Sequence, residues 1–191
     1  MALVMITSPA TEPLSVAEAK AHLRVDGTAE DVLIASLVLT SRLHIEAALG
    51  LALITQGWKL ILDRWPKGPS VPLPLRPVQS IASVQVLAAD GTPATLAASD
   101  YLLEGQGVPP RLVRTGVIWP EPKRAAAGIE IAMTAGFGDG AADVPEPVRQ
   151  ALLLLVAHWY EHRDPIEIGS PETAIPRAVS ELLLPFRVPR L

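Results

Sequence analysis

The chain has 191 residues, enough for one domain of roughly 150 residues with an insertion or a tail. Hydrophobic residues make up 49% and charged residues 19%, which excludes full-length disorder, and a net charge of −4 leaves no whole-chain basic field to grip nucleic acid by its phosphates. The absence of cysteine excludes a disulfide framework, a thiolate zinc site, an iron–sulfur cluster and a cysteine nucleophile.

The chain opens with an apolar run of six residues, Met1 to Ile6, without a positive flank. A secretory core needs about 7–15 residues, so this run is no export signal. The most apolar later stretch, 151–157, is far short of the ~20 residues that span a bilayer. The sequence therefore reads as a soluble chain, cytoplasmic at synthesis, with no membrane contact.

Ser15-Val16-Ala17-Glu18 is a capping box and opens a helix through about Leu23. Thr28-Ala29-Glu30-Asp31 marks a second start, with carboxylates against the positive end of the helix dipole. This helix runs to Leu49, with Gly50 as its stop. Ile34, Leu37, Val38, Ser41, Ile45 and Ala48 share one stripe, which predicts one buried face.

Between about 53 and 135 the period becomes two. Trp58, Leu60 and Leu62 alternate with polar or outward positions, as do Ala82, Val84 and Val86 before the Asp90-Gly91 turn. Strands are also expected at 101–103, 111–113 and 129–134. Pro66, Pro69, Pro72, Pro74 and Pro77 exclude a central strand and predict an extended crossing. No helices alternate with these strands, so the sheet should be antiparallel and inserted as a block.

Helix returns at about 146–163, with Pro145 near its first turn and Val148, Ala151, Leu152, Leu155 and Trp159 on one stripe. Leu153, Leu154 and Ala157 make this helix apolar on nearly all sides, as befits a core helix or one clamped between subunits. Five prolines interrupt 165–191, leaving room for one short helix at about 177–184. The expected class is α+β: a small helical bundle, an inserted antiparallel β-rich region and an extended tail. The expected division is a domain over 1–164 and a proline-rich tail over 165–191.

Three motifs invite a chemical reading. His158-Trp159-Tyr160-Glu161-His162 matches H-x-x-E-H, in which two histidines hold zinc and the glutamate polarises its water. A third ligand is needed, and Glu167, Glu172 and Glu181 lie in the proline-broken tail; the polar side of a helix end is the simpler account. Gly136-Phe137-Gly138-Asp139-Gly140-Ala141 fits G-x-G-x-x-A, but no helix follows at once and no βαβ unit surrounds it, so it reads as a loop. Lys20, His22, Arg24 and Arg42 are scattered among Glu18, Asp26 and Glu46, a solvated mixed-charge surface. No catalytic constellation, metal site or cofactor site emerges.

Leu14-Ser15-Val16-Ala17-Glu18-Ala19-Lys20-Ala21-His22-Leu23-Arg24-Val25-Asp26 resembles the opening of the phage head–tail connector (adaptor) family, which also occurs in prophages and gene transfer agents. The resemblance continues through Asp31, Ile34, Ile45-Glu46, Gly50, Thr55-Gln56-Gly57-Trp58 and Leu62-Asp63-Arg64-Trp65-Pro66. It resumes at Pro72-Leu73-Pro74-Leu75-Arg76-Pro77-Val78, Trp119-Pro120, Ala135-Gly136-Phe137-Gly138 and Val144-Pro145, and closes at Ala157-His158-Trp159-Tyr160-Glu161-His162-Arg163. These landmarks span about 11–164 in the family's order.

The resemblance implies a structural protein of the head–tail junction, assembled in the bacterial cytoplasm. Its partners would be a portal ring on one side and a tail-completion or stopper protein on the other. The chain would form a homo-oligomeric ring, a dodecamer in the particle, through which DNA passes without specific binding. Twelve copies at −4 would carry roughly −48, repelling DNA rather than gripping it. The least matched part, the tail, is the expected portal-docking element: Arg177, Leu182, Pro185, Phe186, Arg187, Arg190 and Leu191, with Phe186 as apolar anchor and the prolines limiting the ordering cost. The opposing expectation is that 182–186 fold back on the chain's own core. Trp65, Trp119 and the loop 136–143 are further candidates for ring or tail contacts. The alternative functions are a zinc hydrolase on the H-x-x-E-H helix and a neighbouring stopper protein.

Overall fold

A computed structural model describes residues 1–116, 118–162 and 175–188. The described residues form an α+β fold in two compact units, one of 1–10 with 50–137, the other of 11–49 with the described residues from 138 onward.

The first unit is built of β-strands apart from a 3-10 turn at Ala98–Asp100. A five-stranded antiparallel sheet has the order β1 (Ala2–Thr7), β2 (Gln56–Leu62), β8 (Ile129–Ala135), β4 (Val78–Leu87), β5 (Pro93–Thr95). A three-stranded antiparallel sheet has the order β3 (Ser70–Pro72), β7 (Arg111–Arg114), β6 (Tyr101–Glu104). The central strand β8 sets the register: Leu60 of β2 and Val84 of β4 both pair with Ile131. Strict alternation along β8 sends Ile129, Ile131 and Met133 into the core, where they meet Leu60, Val84 and Leu112. The antiparallel block expected from the sequence is present, with Asp90-Gly91 at the β4–β5 turn.

Three strands lie outside those expected from the sequence, one of them β5 beyond the Asp90-Gly91 turn. The opening run forms β1, at the edge of the large sheet, where Leu3 and Met5 are half-buried and Val4 and Ile6 exposed. The proline-rich crossing contains β3, three residues long and at a sheet edge, where the missing amide of Pro72 can be tolerated.

The second unit is helical. It holds α1 (Val16–Leu23), α2 (Asp31–Leu49), α3 (Glu146–Glu161) and α4 (Arg177–Leu182), with a short 3-10 turn at Leu184–Phe186. The capping box at Ser15 forms as expected: Glu18 N–H donates to Ser15 Oγ at 3.1 Å, and Ser15 N–H donates to Glu18 Oε2 at 2.8 Å. On α2, Ile34, Val38, Ser41 and Ile45 are buried as the stripe requires, whereas Leu37 is half-buried and Ala48 exposed. Val148, Ala151, Leu152, Leu155 and Val156 bury one face of α3. Leu153, Leu154 and Ala157 on its other side are half-covered.

Helix α2 has 19 residues, and an 18-residue stretch of it with a mean hydropathy of 1.6 matches a membrane span in length and composition, although the sequence reading assigned that property to no segment. Its middle instead holds a buried ion pair. Arg42 and Glu46, read from sequence as solvated surface, are 4% and 7% exposed. The Arg42 guanidinium donates to Glu46 at 2.8 Å and to Glu12 at 2.7 Å. Spacing of one helical turn brings the pair together, and Glu12 supplies a second acceptor that makes burial tolerable.

Candidate docking surface

The C-terminal elements are built on a two-point anchor. Val179 on α4 and Leu183, one turn later, are buried, at 1% and 7% exposure, while Arg177 and Glu181 face solvent and pair with each other at 2.8 Å. With Ile45, Leu49 and Leu155, they line a groove of about 670 Å³ formed by α2, α3 and the C-terminal turn. His44 and Arg187 stand on the same groove, and His44 packs edge-on against Trp159 at 5.7 Å between ring centroids. The result is an apolar floor with the His44 ring and the Arg187 guanidinium beside it.

Of the residues assigned to docking from the sequence, Arg177, Pro185 and Arg187 are exposed, and Leu182 and Phe186 are half-buried. Arg187 lines the groove and Arg177 faces away into its ion pair with Glu181. Arg190 and Leu191 lie outside the described residues. Leu183 lies in the 182–186 stretch for which folding back on the chain's own core was the opposing expectation, and it is buried; Val179 went unassigned, and its i, i+4 spacing to Leu183 was the available signal.

The other candidates have the following surroundings within the chain. In the H-x-x-E-H segment, His158 and His162 approach to 4.6 Å between ring centroids. Burial and the neighbouring His162 lower the His158 pKa below its ordinary value, with Glu161 opposing. Among the described residues no three His, Asp or Glu side chains gather as a metal site, and Glu181 is engaged by Arg177; Glu167 and Glu172 lie outside those residues.

Gly136 of the G-x-G-x-x-A segment has φ +146°, and a Cβ there would sit 2.5 Å from the Thr55 backbone nitrogen. In the same segment, Asp143 accepts the Gly140 N–H at 2.9 Å. Gly136 thus lets the chain pass close to the Thr55 backbone at the end of β8. Trp65 and Trp119 stack at 4.3 Å and 12°, and Trp65 Nε1 donates to the Pro120 carbonyl at 2.8 Å, so the two rings pack against each other within the chain.

No family model and no curated protein matches the chain. Solved structures do. A chain from the neck of an empty gene transfer agent (GTA) particle, computed with C6 symmetry, superposes with a TM-score of 0.87 at 30% identity, covering 100% of this chain and 97% of that one. A chain from the virion of a native GTA particle gives 0.85 at 31% identity with the same coverage. A chain from the neck of a native GTA particle, computed with C12 symmetry, gives 0.84 at 30% identity, again with the same coverage.

Proposed function

The chain belongs to the phage head–tail connector (adaptor) family, and from that membership we propose that it forms a twelve-copy ring between the portal and the tail-side completion protein of a phage-like particle. The observation that carries this reading is the end-to-end match, at 30% identity, to chains of GTA necks. The protein is a structural connector at the head–tail junction, a component of the particle rather than a free cytoplasmic factor. The ring reading is supported by the C6 and C12 symmetry of the necks holding its relatives. Its role is to hold capsid to tail and extend the DNA channel, with no reaction of its own.

The electrostatics suit that role. A net charge of −4 per copy makes the assembled ring acidic, and a channel through which DNA must slide gains from weak phosphate contact.

Portal docking belongs to the tail, 165–191. Val179 and Leu183 tether the C-terminal elements to the helical unit, and exposed Pro185 and Arg187 flank the half-buried Phe186. Phe186 supplies the apolar anchor, and Arg187 and Arg190 its charged contacts.

Native mass spectrometry of the chain with its cognate portal tests both parts. The expected result is assembly at one copy per portal subunit, abolished by deleting 185–191 while the truncated protein keeps its helical circular dichroism. Undiminished portal binding by the truncated protein overturns the docking role. A full-length monomer that ignores portal overturns the connector reading.

A further inference from the structure

Helix α2 leaves one long face uncovered. Val32, Leu39 and Leu43 are 86%, 42% and 46% exposed, and Ala35, Ser36, Thr40 and Ala47 are exposed between and beside them. At 100° per residue these positions fall on a single stripe, and Val32 to Ala47 extends it over about 22 Å. Four of the thirteen exposed large hydrophobics among the described residues lie on this helix, counting Leu33 at its margin. Such side chains scattered singly would mean nothing, but a continuous row marks a contact surface.

The stripe carries no charge. Asp31 at the helix start pairs with Lys20, and Arg42 and Glu46 are paired and buried. Of its two hydroxyls, Thr40 already donates to the Ser36 carbonyl at 2.8 Å, and Ser36 is exposed one turn before it. Small residues between the leucines let another backbone approach closely. An apolar patch depleted of charge has the composition of an interface centre, where charge is scarce and the rim is polar.

We infer that this face of α2 is where one copy of the chain meets the next in the ring. The inference rests on the ring reading above. In a closed ring every copy lies between two others, through a contact in which two different patches meet. Copies of charge −4 repel, so their closest approach favours an uncharged surface, and this stripe supplies one. A strongly charged partner, nucleic acid included, would find nothing on it to pair with.

The test places a photo-reactive benzoylphenylalanine at position 43 in particles that contain the chain, followed by irradiation and denaturing electrophoresis. The expected product is an adduct at twice the 20.3 kDa chain mass. In parallel, the Leu39→Lys, Leu43→Lys double variant should melt as a folded protein and enter particles at least tenfold less than the parent chain. Adducts formed only with another protein, no adduct, or undiminished incorporation of the folded double variant would each overturn the contact and leave the ring reading intact. A parent chain absent from particle necks overturns the ring reading and this contact together.

Discussion

Arg42 and Glu46 face each other across one turn of α2 at 2.8 Å, with side-chain exposures of only 5% and 8%. Burial alone would push the Arg42 guanidinium down, but Glu12 and Glu46 together hold its pKa above the ordinary value. Removing one partner of such a pair is far more damaging than the pair is helpful, because a charge is left buried. Arg42→Leu should therefore cost about 3–5 kcal/mol, read as a lower urea midpoint at unchanged slope. The Arg42→Leu, Glu46→Leu double variant should recover much of that loss. A single variant as stable as the parent would show that Glu46 escapes to solvent.

Glu18 joins α1 to α3. Its carboxylate accepts the Ser15 backbone N–H and hydroxyl, and it also receives the Arg149 guanidinium from 131 residues away. The Ser15 bonds, with Arg149 adding to them, lower its pKa below the ordinary 4.5. A lowered folded-state pKa contributes stability in full above 4.5 and loses it as pH falls through the folded value. Glu18→Gln should therefore be less stable than the parent at neutral pH, and the gap should close below pH 4.5. Parallel stability curves across that range, from thermal melts at stepped pH, would remove Glu18 as the source.

Some of this architecture is legible in the sequence because local signals agree with tertiary packing. Ser15 and Glu18 define a helix start by themselves, and the buried positions of β8 alternate without exception. The opening strand is illegible for the opposite reason. Six apolar residues in a row carry no period, and only their pairing with β2, Met5 opposite Trp58 for example, shows that they form an edge strand. Arg42 and Glu46 look solvated on a sequence row because their cover comes partly from Glu12, thirty residues away. The groove at the C-terminus combines Ile45, Leu155 and Leu183, a conjunction no local window contains. The uncovered face of α2 hides in the same way, since apolar positions on that helix outnumber those its own unit buries.

Gly136 and Gly91 separate two costs of losing a glycine. Both have positive φ, +146° and +87°, but a Cβ at Gly136 collides with Thr55 backbone whereas one at Gly91 meets nothing within 4 Å. Gly91→Ala should cost about 1 kcal/mol for the left-handed conformation alone. Gly136→Ala adds displacement of a neighbouring strand end and should cost at least ~2 kcal/mol. Equal losses in urea denaturation would mean that the chain relaxes around position 136.

His158 and His162 decide between a helix end and a metal site. Burial first, then His162, lower the His158 pKa below 6.5, so the folded protein holds this ring neutral at pH values where the unfolded chain protonates it. The sign follows: the contribution to stability is complete above 6.5 and fades as pH drops through the lower, folded value. Proton NMR of the imidazole C–H signals should give a His158 midpoint below 6.5, and His162→Gln should raise it by removing the neighbouring positive charge while burial remains. The same titration after chelation should be unchanged, and refed zinc should not bind at one equivalent, since two histidines 4.6 Å apart on one helix make an incomplete ligand set. Stoichiometric zinc that abolishes the His158 titration would give these rings a metal to hold, and the helix end would need a different account.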